Sequence, residues 1–334
     1  MIVKKIPILQ GFPAFSIVKN LSFFDASKSI FLDIETNGLS SRYCFIYLIG
    51  ILEFSGENLF LRQWLAQSPE EEKEILEALF QAVEGCTGII HFNGTQFDLP
   101  FIQARCAFHG IADPLVHRRS LDLCRRLKPI QPLAGLSSRR FQAVEDFLGL
   151  SRKNDVNGKE CIHLYQKYYA TGKEEFSAPI LSHNRLDLEH LPLLMRMLTY
   201  EQILTGAYHL EKYRSEEQSL LLTLIMDEAV PKPISYVSNH ATLEAAEQTI
   251  KIHLPLKEGK LKKYFSAYKE YYYLPEEDCA IHKSVGTYVD KSRRRAATKE
   301  TCYTWFPVTE EFLAHPEDVE SYIRENLIPL LGLS

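Results

Sequence analysis

No run of the 334 residues approaches the roughly 18 to 20 consecutive apolar side chains of a membrane-crossing helix. The opening segment "MIVKKIPILQGFPAF" is short, is interrupted by Gly11 and Pro13, and shows no small-residue cleavage pattern after it. No secretion signal or membrane partner is therefore expected, and the expected location is the cytoplasm. Cysteine is sparse and scattered. The seven residues (Cys44, Cys86, Cys106, Cys124, Cys161, Cys279, Cys302) are odd in number and never spaced as CxxC. That excludes the usual zinc-ribbon spacing and argues against a disulfide framework, so any metal is expected on oxygen ligands. Repeats and low-complexity tracts are absent as well.

A basic excess is also missing, since the formal net charge is −5. The charge is nevertheless unevenly spread: 115–153 and 251–299 each carry a local net charge of +6. Such stretches suit phosphate contacts on an otherwise acidic protein, and equally suit plain solvated faces. With 46% hydrophobic and 24% charged residues, the composition is that of a globular protein. The length allows one large core, or one standard domain and a smaller one.

Along the chain, "SIFLDIET" reads as a buried strand ending at a "TNG" turn. "CFIYLIGILEF" and "LFLRQWLA" follow as strands joined at a Ser55–Gly56 turn. "PEEEKEILEALFQAVEG" has apolar residues at helical spacing, and "GIIHFNG" reads as a further strand. "FDLPFIQARCAFHG" predicts a helix with Pro100 in its first turn and Gly110 as its stop. "SLDLCRRL" supplies a short strand, and helical segments run on to about Leu204. The expected fold is α/β, a mixed sheet flanked by helices with a small C-terminal α+β extension. The expected divisions are an N-terminal segment (1–24), a main domain (25–205), a helical connector (206–233) and the extension (234–334).

Two acids stand inside the first strand. Side chains alternate along a strand, so Asp33 and Glu35 share a face near its end. Burying unpaired carboxylates costs several kcal/mol, so a core alone would not select them. A shared divalent cation is one reason for the pair, and a solvent-facing edge is the other. Asp98, in "IIHFNGTQFDLPF", sits at a helix start, as a plain N-cap also would. Phe97 beside it is placed to anchor in the core. In "SHNRLDLEHL", His183 and Asp187 lie four apart on one helix face. The alternative is a helix capped by Ser182, with Asp187 near its positive end. His190 is a weaker competitor for the place of His183.

Taken together, "DIETNGL", "FNGTQFDLPF" and "HNRLD" resemble the motifs of the DEDD 3′–5′ exonuclease superfamily, which has the ribonuclease H-like fold. "YLIG" after the first motif and "SLDLCRRL" after the second resemble, more narrowly, the bacterial YprB-type ribonuclease H-like group. The resemblance covers about residues 25–205. It implies a nuclease that hydrolyses phosphodiester bonds of DNA or RNA with two Mg²⁺ or Mn²⁺ ions. Asp33, Glu35, Asp98 and Asp187 match its four ligand positions, and His183 matches the general base. One departure is the three-residue gap between His183 and Asp187, where the histidine subtype has four. Four residues turn a helix by 400°, which keeps the two side chains on one face.

Candidate substrate contacts are Asn93, Phe97 and Asp122, with the cluster Arg118, Arg119, Arg125 and Arg126. "KKYFSAYKEYYYL" interleaves lysine with aromatic residues, which suits base stacking or, more simply, packing of the tyrosines. Two other readings stand beside the exonuclease: a nucleic-acid-binding module with little or no catalysis, and a structure-specific endonuclease on the same fold.

Overall fold

Strand patterning builds a six-stranded mixed sheet first. In the computed structural model it has the order β1 (Ile2–Ile8), β4 (Asn58–Leu65), β3 (Ile46–Ser55), β2 (Ser29–Thr36), β5 (Gly88–His91) and β6 (Arg119–Asp122). The structure describes residues 1–8, 28–55, 58–150, 152 and 155–333. Gly11, Pro13, Gly56 and Lys153 lie outside the described residues. β1 runs antiparallel to β4, although the sequence reading assigned no strand to the N-terminal segment. Its burial alternates along Ile2–Ile8, as an edge strand with one covered face requires.

β2 lies inside the sheet, antiparallel to β3 and parallel to β5. Ile30, Leu32 and Ile34 pack on one face against α1 (Glu72–Ala82) and α2 (Asp98–His109) through Ile75, Leu76, Phe101 and Ile102. Each such fully buried side chain contributes about 1.5–3 kcal/mol of transfer free energy. Asp33 and Glu35 point to the other face. That face is covered by α5 (Gly158–Thr171) and α6 (Glu174–Leu194), where Tyr47 and Leu48 pack with Tyr165, Tyr168 and Ile180. Between β6 and α5 lie α3 (Leu123–Ala134) and α4 (Phe141–Leu148).

The acidic stretch that starts α1 is not all solvated. Glu72 is buried and accepts hydrogen bonds from Ile46 N, from Arg105 on α2 and from His109 Nε2. This buried ion pair ties both helices to β3.

The chain divides into two compact units: Met1–Lys128 with Ser137–Leu198, and Pro129–Leu136 with Thr199–Ser334. In the second, β7 (Tyr208–Glu216), β8 (Ser219–Met226), β11 (Thr249–Pro255), β10 (Thr242–Ala246) and β9 (Ile234–Val237) form an antiparallel sheet in that order. The helical connector expected at 206–233 is therefore corrected to a β-hairpin. Leu220, Leu222, Leu224 and Met226 are buried at a period of two, a pattern that the apolar run "SLLLTLIM" hides. β12 (Lys260–Tyr264) pairs with β16 (Tyr303–Pro307). β13 (Tyr271–Leu274) pairs with β14 (Cys279–His282) and β15 (Arg295–Ala296). Tyr268, Tyr271 and Tyr273 pack against Ala280, Ala297 and Cys302, so packing accounts for these tyrosines. α7 (Pro316–Leu331) begins with Pro316 in its first turn.

Candidate active site

The bend that ends β2 leaves Asp33 and Glu35 beneath α6. Oxygen atoms of Asp33, Glu35 and Asp187 lie within 4.8 Å of one another. Residues 33 and 35 come from neighbouring positions of one strand, and residue 187 from a helix some 150 positions on. Only packing of α6 on the sheet brings them together. Asn184 makes that packing specific: its Nδ2 donates to Asp33 Oδ2 at 2.7 Å. Its Oδ1 accepts from Gln63 Nε2 at 2.8 Å. Gly50, paired with Asp33 across the sheet, admits this close approach; a Cβ there would meet Asn184 Oδ1 at 2.1 Å.

His183 joins the same cluster. Its Nε2 lies 3.7 Å from Glu35 Oε1 and 3.5 Å from Asp187 Oδ2, while Nδ1 lies 2.9 Å from Asp155 Oδ2. The three-residue gap thus places His183 beside both acids. α6 starts at Glu174, so Ser182 is an interior helical residue and Asp187 is far from the positive helix end. The capping alternative for that motif falls away. His190 is engaged elsewhere, with Nδ1 2.5 Å from Glu145 Oε1.

Asp98 stands close by and is used differently. It is buried at the first position of α2, one residue past the N-cap Phe97, and its Oδ1 accepts the Ile34 N–H at 3.2 Å. That bond reaches β2 between the two acids and ties α2 to the strand end. Asp98 is outside the three-acid group.

The electrostatics follow from the crowding. Burial, then the charges of Asp187, Glu35 and Asp98, raise the Asp33 carboxyl well above its ordinary range. Burial, then Asp187, Asp98 and Asp155, do the same to Glu35. Burial pushes Asp98 up to about 7, although hydrogen bonds from its own backbone and Ile34 work against it. Asp187 is also raised by burial, against the opposing charges of His183 and Arg152.

This donor set fits a divalent cation. Three clustered carboxylates repel one another, and a hard cation both relieves that repulsion and prefers oxygen. A Glu35, Cys161 and His183 group also lies within 4.8 Å, but burial and the neighbouring carboxylates push the Cys161 thiol upward. A protonated thiol is a poor ligand.

Arg152 and Asp155 escaped the sequence reading. Arg152 donates from Nε to both oxygens of Glu145, at 2.8 and 2.9 Å, and from Nη1 to Asp155 Oδ2 at 2.8 Å. Its Nη2 bonds Asp187 Oδ1. Burial works against this charge, but the carboxylates outweigh it and hold the guanidinium ionised. Burial likewise raises Asp155, yet the bonds from Arg152 and His183 bring its carboxyl below the ordinary range. Both residues stand outside regular elements, so no periodicity marks them. Asn184 was findable, since it lies three residues before Asp187 on the same helix face.

A cleft of about 540 Å³ opens over Asp33, His183 and Asp187, walled by Arg152, Phe92 and Phe141. The Phe92 and Phe141 rings meet edge to face at 4.9 Å. The expected substrate residues lie elsewhere. Asn93 takes a left-handed backbone (φ 61°), and its N–H donates to Asp122 Oδ1 at 2.9 Å. Asp122 Oδ2 accepts from Thr95 N at 3.2 Å, so Asp122 shapes the turn before Asp98. Phe97 packs on Phe101 in the core. Arg118 Nη2 donates to Val83 O, Arg125 is exposed, Arg119 is exposed and Arg126 is half-buried.

Residues 30–199 match the model of a family described as the RNase_H superfamily. The chain belongs to the RNase_H superfamily. This is a superfamily of nucleases, and membership implies dependence on divalent metal. An uncharacterized protein of Methanocaldococcus jannaschii is 30% identical over 173 residues, covering 50% of this chain and 93% of that protein. Among solved structures, the family B DNA polymerase of Pyrobaculum calidifontis is 14% identical with a TM-score of 0.39, covering 64% of this chain and 33% of that one. The chain thus spans about a third of that polymerase. E. coli exonuclease I in complex with a dT13 oligonucleotide is 12% identical with a TM-score of 0.32, covering 91% of this chain and 73% of that one. Superpositions of that quality bear on neither substrate nor activity. For the RNase_H superfamily chain described here, no helix among the described residues is long and apolar enough to cross a membrane.

Proposed function

We propose that this RNase_H superfamily chain is a 3′–5′ exonuclease that hydrolyses the phosphodiester backbone of DNA or RNA. The observation that carries the reading is the meeting of Asp33, Glu35 and Asp187 within 4.8 Å, with His183 Nε2 against two of them. Asp33, Glu35 and Asp187 would hold two divalent ions, Mg²⁺ or Mn²⁺, with Asp98 completing the set. When bound, those ions supply charge stabilisation at the oxygens of an in-line displacement. The remaining work falls to side chains. Asp155 accepts the Nδ1 proton of His183, which leaves the Nε2 lone pair facing the acids, where it takes a proton from the attacking water. Arg152 holds Asp155 and Asp187 in register. Phe92 and Phe141 wall the cleft with rings suited to stacking a base.

The direction of attack rests on the motif resemblance, and the metal set on the donor chemistry. The test is incubation with 3′- and 5′-labelled single- and double-stranded DNA and RNA, with Mg²⁺ or Mn²⁺. Release of mononucleotides from the 3′ end is expected, and is lost in Asp33→Ala and Asp187→Ala. Internal cuts would instead support an endonuclease. No cleavage of any substrate with either ion, or undiminished cleavage by both variants, overturns the reading.

A further inference from the structure

The second unit holds a cavity of about 310 Å³ that the three acidic motifs do not touch. Lys257, Lys262, His240, Asp278 and Trp305 line it, with Leu261 and Leu330 as apolar wall. Its placement follows from strand register. Lys262 on β12 is paired directly with Trp305 on β16, so both side chains rise from one face.

The charges in it do not cancel. Among the described residues no carboxylate lies within 4 Å of Lys262 Nζ. Its neighbours are His240 Nε2 at 3.1 Å and the Tyr303 ring, whose centroid is 3.7 Å away. An ammonium donates, so this bond uses the His240 lone pair and leaves two N–H groups of Lys262 for another acceptor. Lys257 Nζ lies 4.8 Å from the Trp305 ring centroid and 3.5 Å from Asp278 Oδ2. Asp278 itself is largely committed. Its Oδ1 accepts the Tyr273 hydroxyl at 2.7 Å and also the Tyr303 hydroxyl. Two lysines thus face one carboxylate, in a cavity of the size that small ligands occupy. Burial pulls the Lys262 pKa down; Asp278 works against that shift and the charge of Lys257 adds to it.

We propose that this cavity binds the phosphate group of a nucleotide between Lys257 and Lys262, with Trp305 as the wall beside it. The nucleotide identity rests on the nuclease reading above; the anion site does not. A free mononucleotide and the phosphate of a nucleic-acid strand share this chemistry, and the two sources are separable by experiment.

Trp305 provides the signal. The chain has two tryptophans, and the other, Trp64, is buried in the first unit's core. The intact chain is titrated in EDTA with inorganic phosphate, with AMP and with a five-nucleotide single strand, while tryptophan fluorescence is followed. A saturable change is expected with AMP or the oligonucleotide, with phosphate competing. It should weaken at least tenfold in both Lys262→Gln and Lys257→Gln, each with unchanged thermal unfolding. Tighter binding of AMP assigns a free nucleotide, and tighter binding of the oligonucleotide assigns a strand. No saturable change at millimolar ligand, or equal binding by both variants, overturns the proposal. Metal-dependent cleavage by the unaltered chain is measured separately. Cleavage without cavity binding sinks this proposal alone, whereas cavity binding without cleavage sinks only the nuclease reading.

Discussion

His183 Nδ1 and Asp155 Oδ2 lie 2.9 Å apart, and this one contact decides which nitrogen of the ring faces the acid cluster. Asp155 is ionised and accepts, so Nδ1 carries the proton and Nε2 is free. In Asp155→Asn the amide N–H₂ can serve Nδ1 instead, which favours the opposite tautomer. We predict turnover about 10- to 100-fold lower, the range typical of lost orienting partners. The acid limb of the pH–rate profile should move while KM holds, and Asp155→Glu should recover part of the rate. A loss confined to KM or to folding would reduce Asp155 to a structural residue.

The three clustered carboxylates repel one another in the metal-free state. Asp33→Asn removes one charge, and its amide can still meet Asn184. The prediction is opposite effects of one substitution: the variant unfolds about 1 kcal/mol higher than the parent in EDTA. It should also lose the stabilisation by Mn²⁺, which for the parent is about 2.7 kcal/mol at a hundredfold excess over Kd. Thermal unfolding with and without Mn²⁺ measures both. A variant that is weaker in EDTA, or that keeps the full metal shift, contradicts the site as assigned.

The same crowding sets a pH dependence. Asp98 titrates at about 7, above its ordinary 3.8, and Asp33, Glu35 and Asp187 are raised too. Between those limits the folded chain holds protons that the unfolded chain has released. The stability these groups contribute is full below about pH 4 and is lost as pH rises towards 7. His91 works the other way, because burial pushes its pKa down to about 4 and the unfolded chain binds the extra proton up to about pH 6.5. His240 is lowered as well, by burial and then by Lys262, so two histidines stand against four acids and the slope is negative. In EDTA the midpoint of thermal unfolding should fall by a few degrees from pH 5 to pH 7.5. With Mn²⁺ the slope should flatten. A rising midpoint in EDTA would refute this.

Gly50 is the point where α6 comes closest to the sheet. A Cβ there would meet Asn184 Oδ1 at 2.1 Å and Leu188 Cδ1 at 2.6 Å. Gly50→Ala should cost about 1–3 kcal/mol, as overpacking does. It should also reduce cleavage about tenfold, by lifting Asn184 from Asp33 and Asp187 from the strand. Denaturant unfolding and a cleavage assay test it, and neutrality in both would show that the helix is free to shift.

Arg152 compensates Glu145, Asp155 and Asp187 together. Arg152→Gln leaves buried Glu145 facing His190, a loss on the order of 3 kcal/mol. Mn²⁺ should restore part of it by supplying positive charge at Asp187. Unchanged stability in EDTA would mean that the ion pairs contribute nothing net.

How far residue pattern reaches is visible at particular positions. A short apolar run closed by a "TNG" turn places "SIFLDIET" in a strand, and a helical step of four places His183 above Asp187, so Asp33, Glu35, His183 and Asp187 are legible from local geometry. The strand ending in Asp122 is legible on the same grounds. "SLLLTLIM" is not, because an apolar run carries no period, and it proved to be a strand. Neither is the first strand, whose pairing with β4 joins Ile2 to Leu65 and Ile8 to Leu59, partners far apart in the chain. Asp155 and Arg152 leave no trace in the sequence, since loop residues obey no periodicity and their partners are distant in the chain. The sequence by itself determined which acids share a face of each element, because backbone geometry repeats every two or 3.6 residues. The tertiary structure alone decided that the faces meet, that Asp98 ties down Ile34, and that Arg152 and Asp155 hold the set. Those contacts depend on the packing of α6 over Gly50, and packing is a property of the whole core.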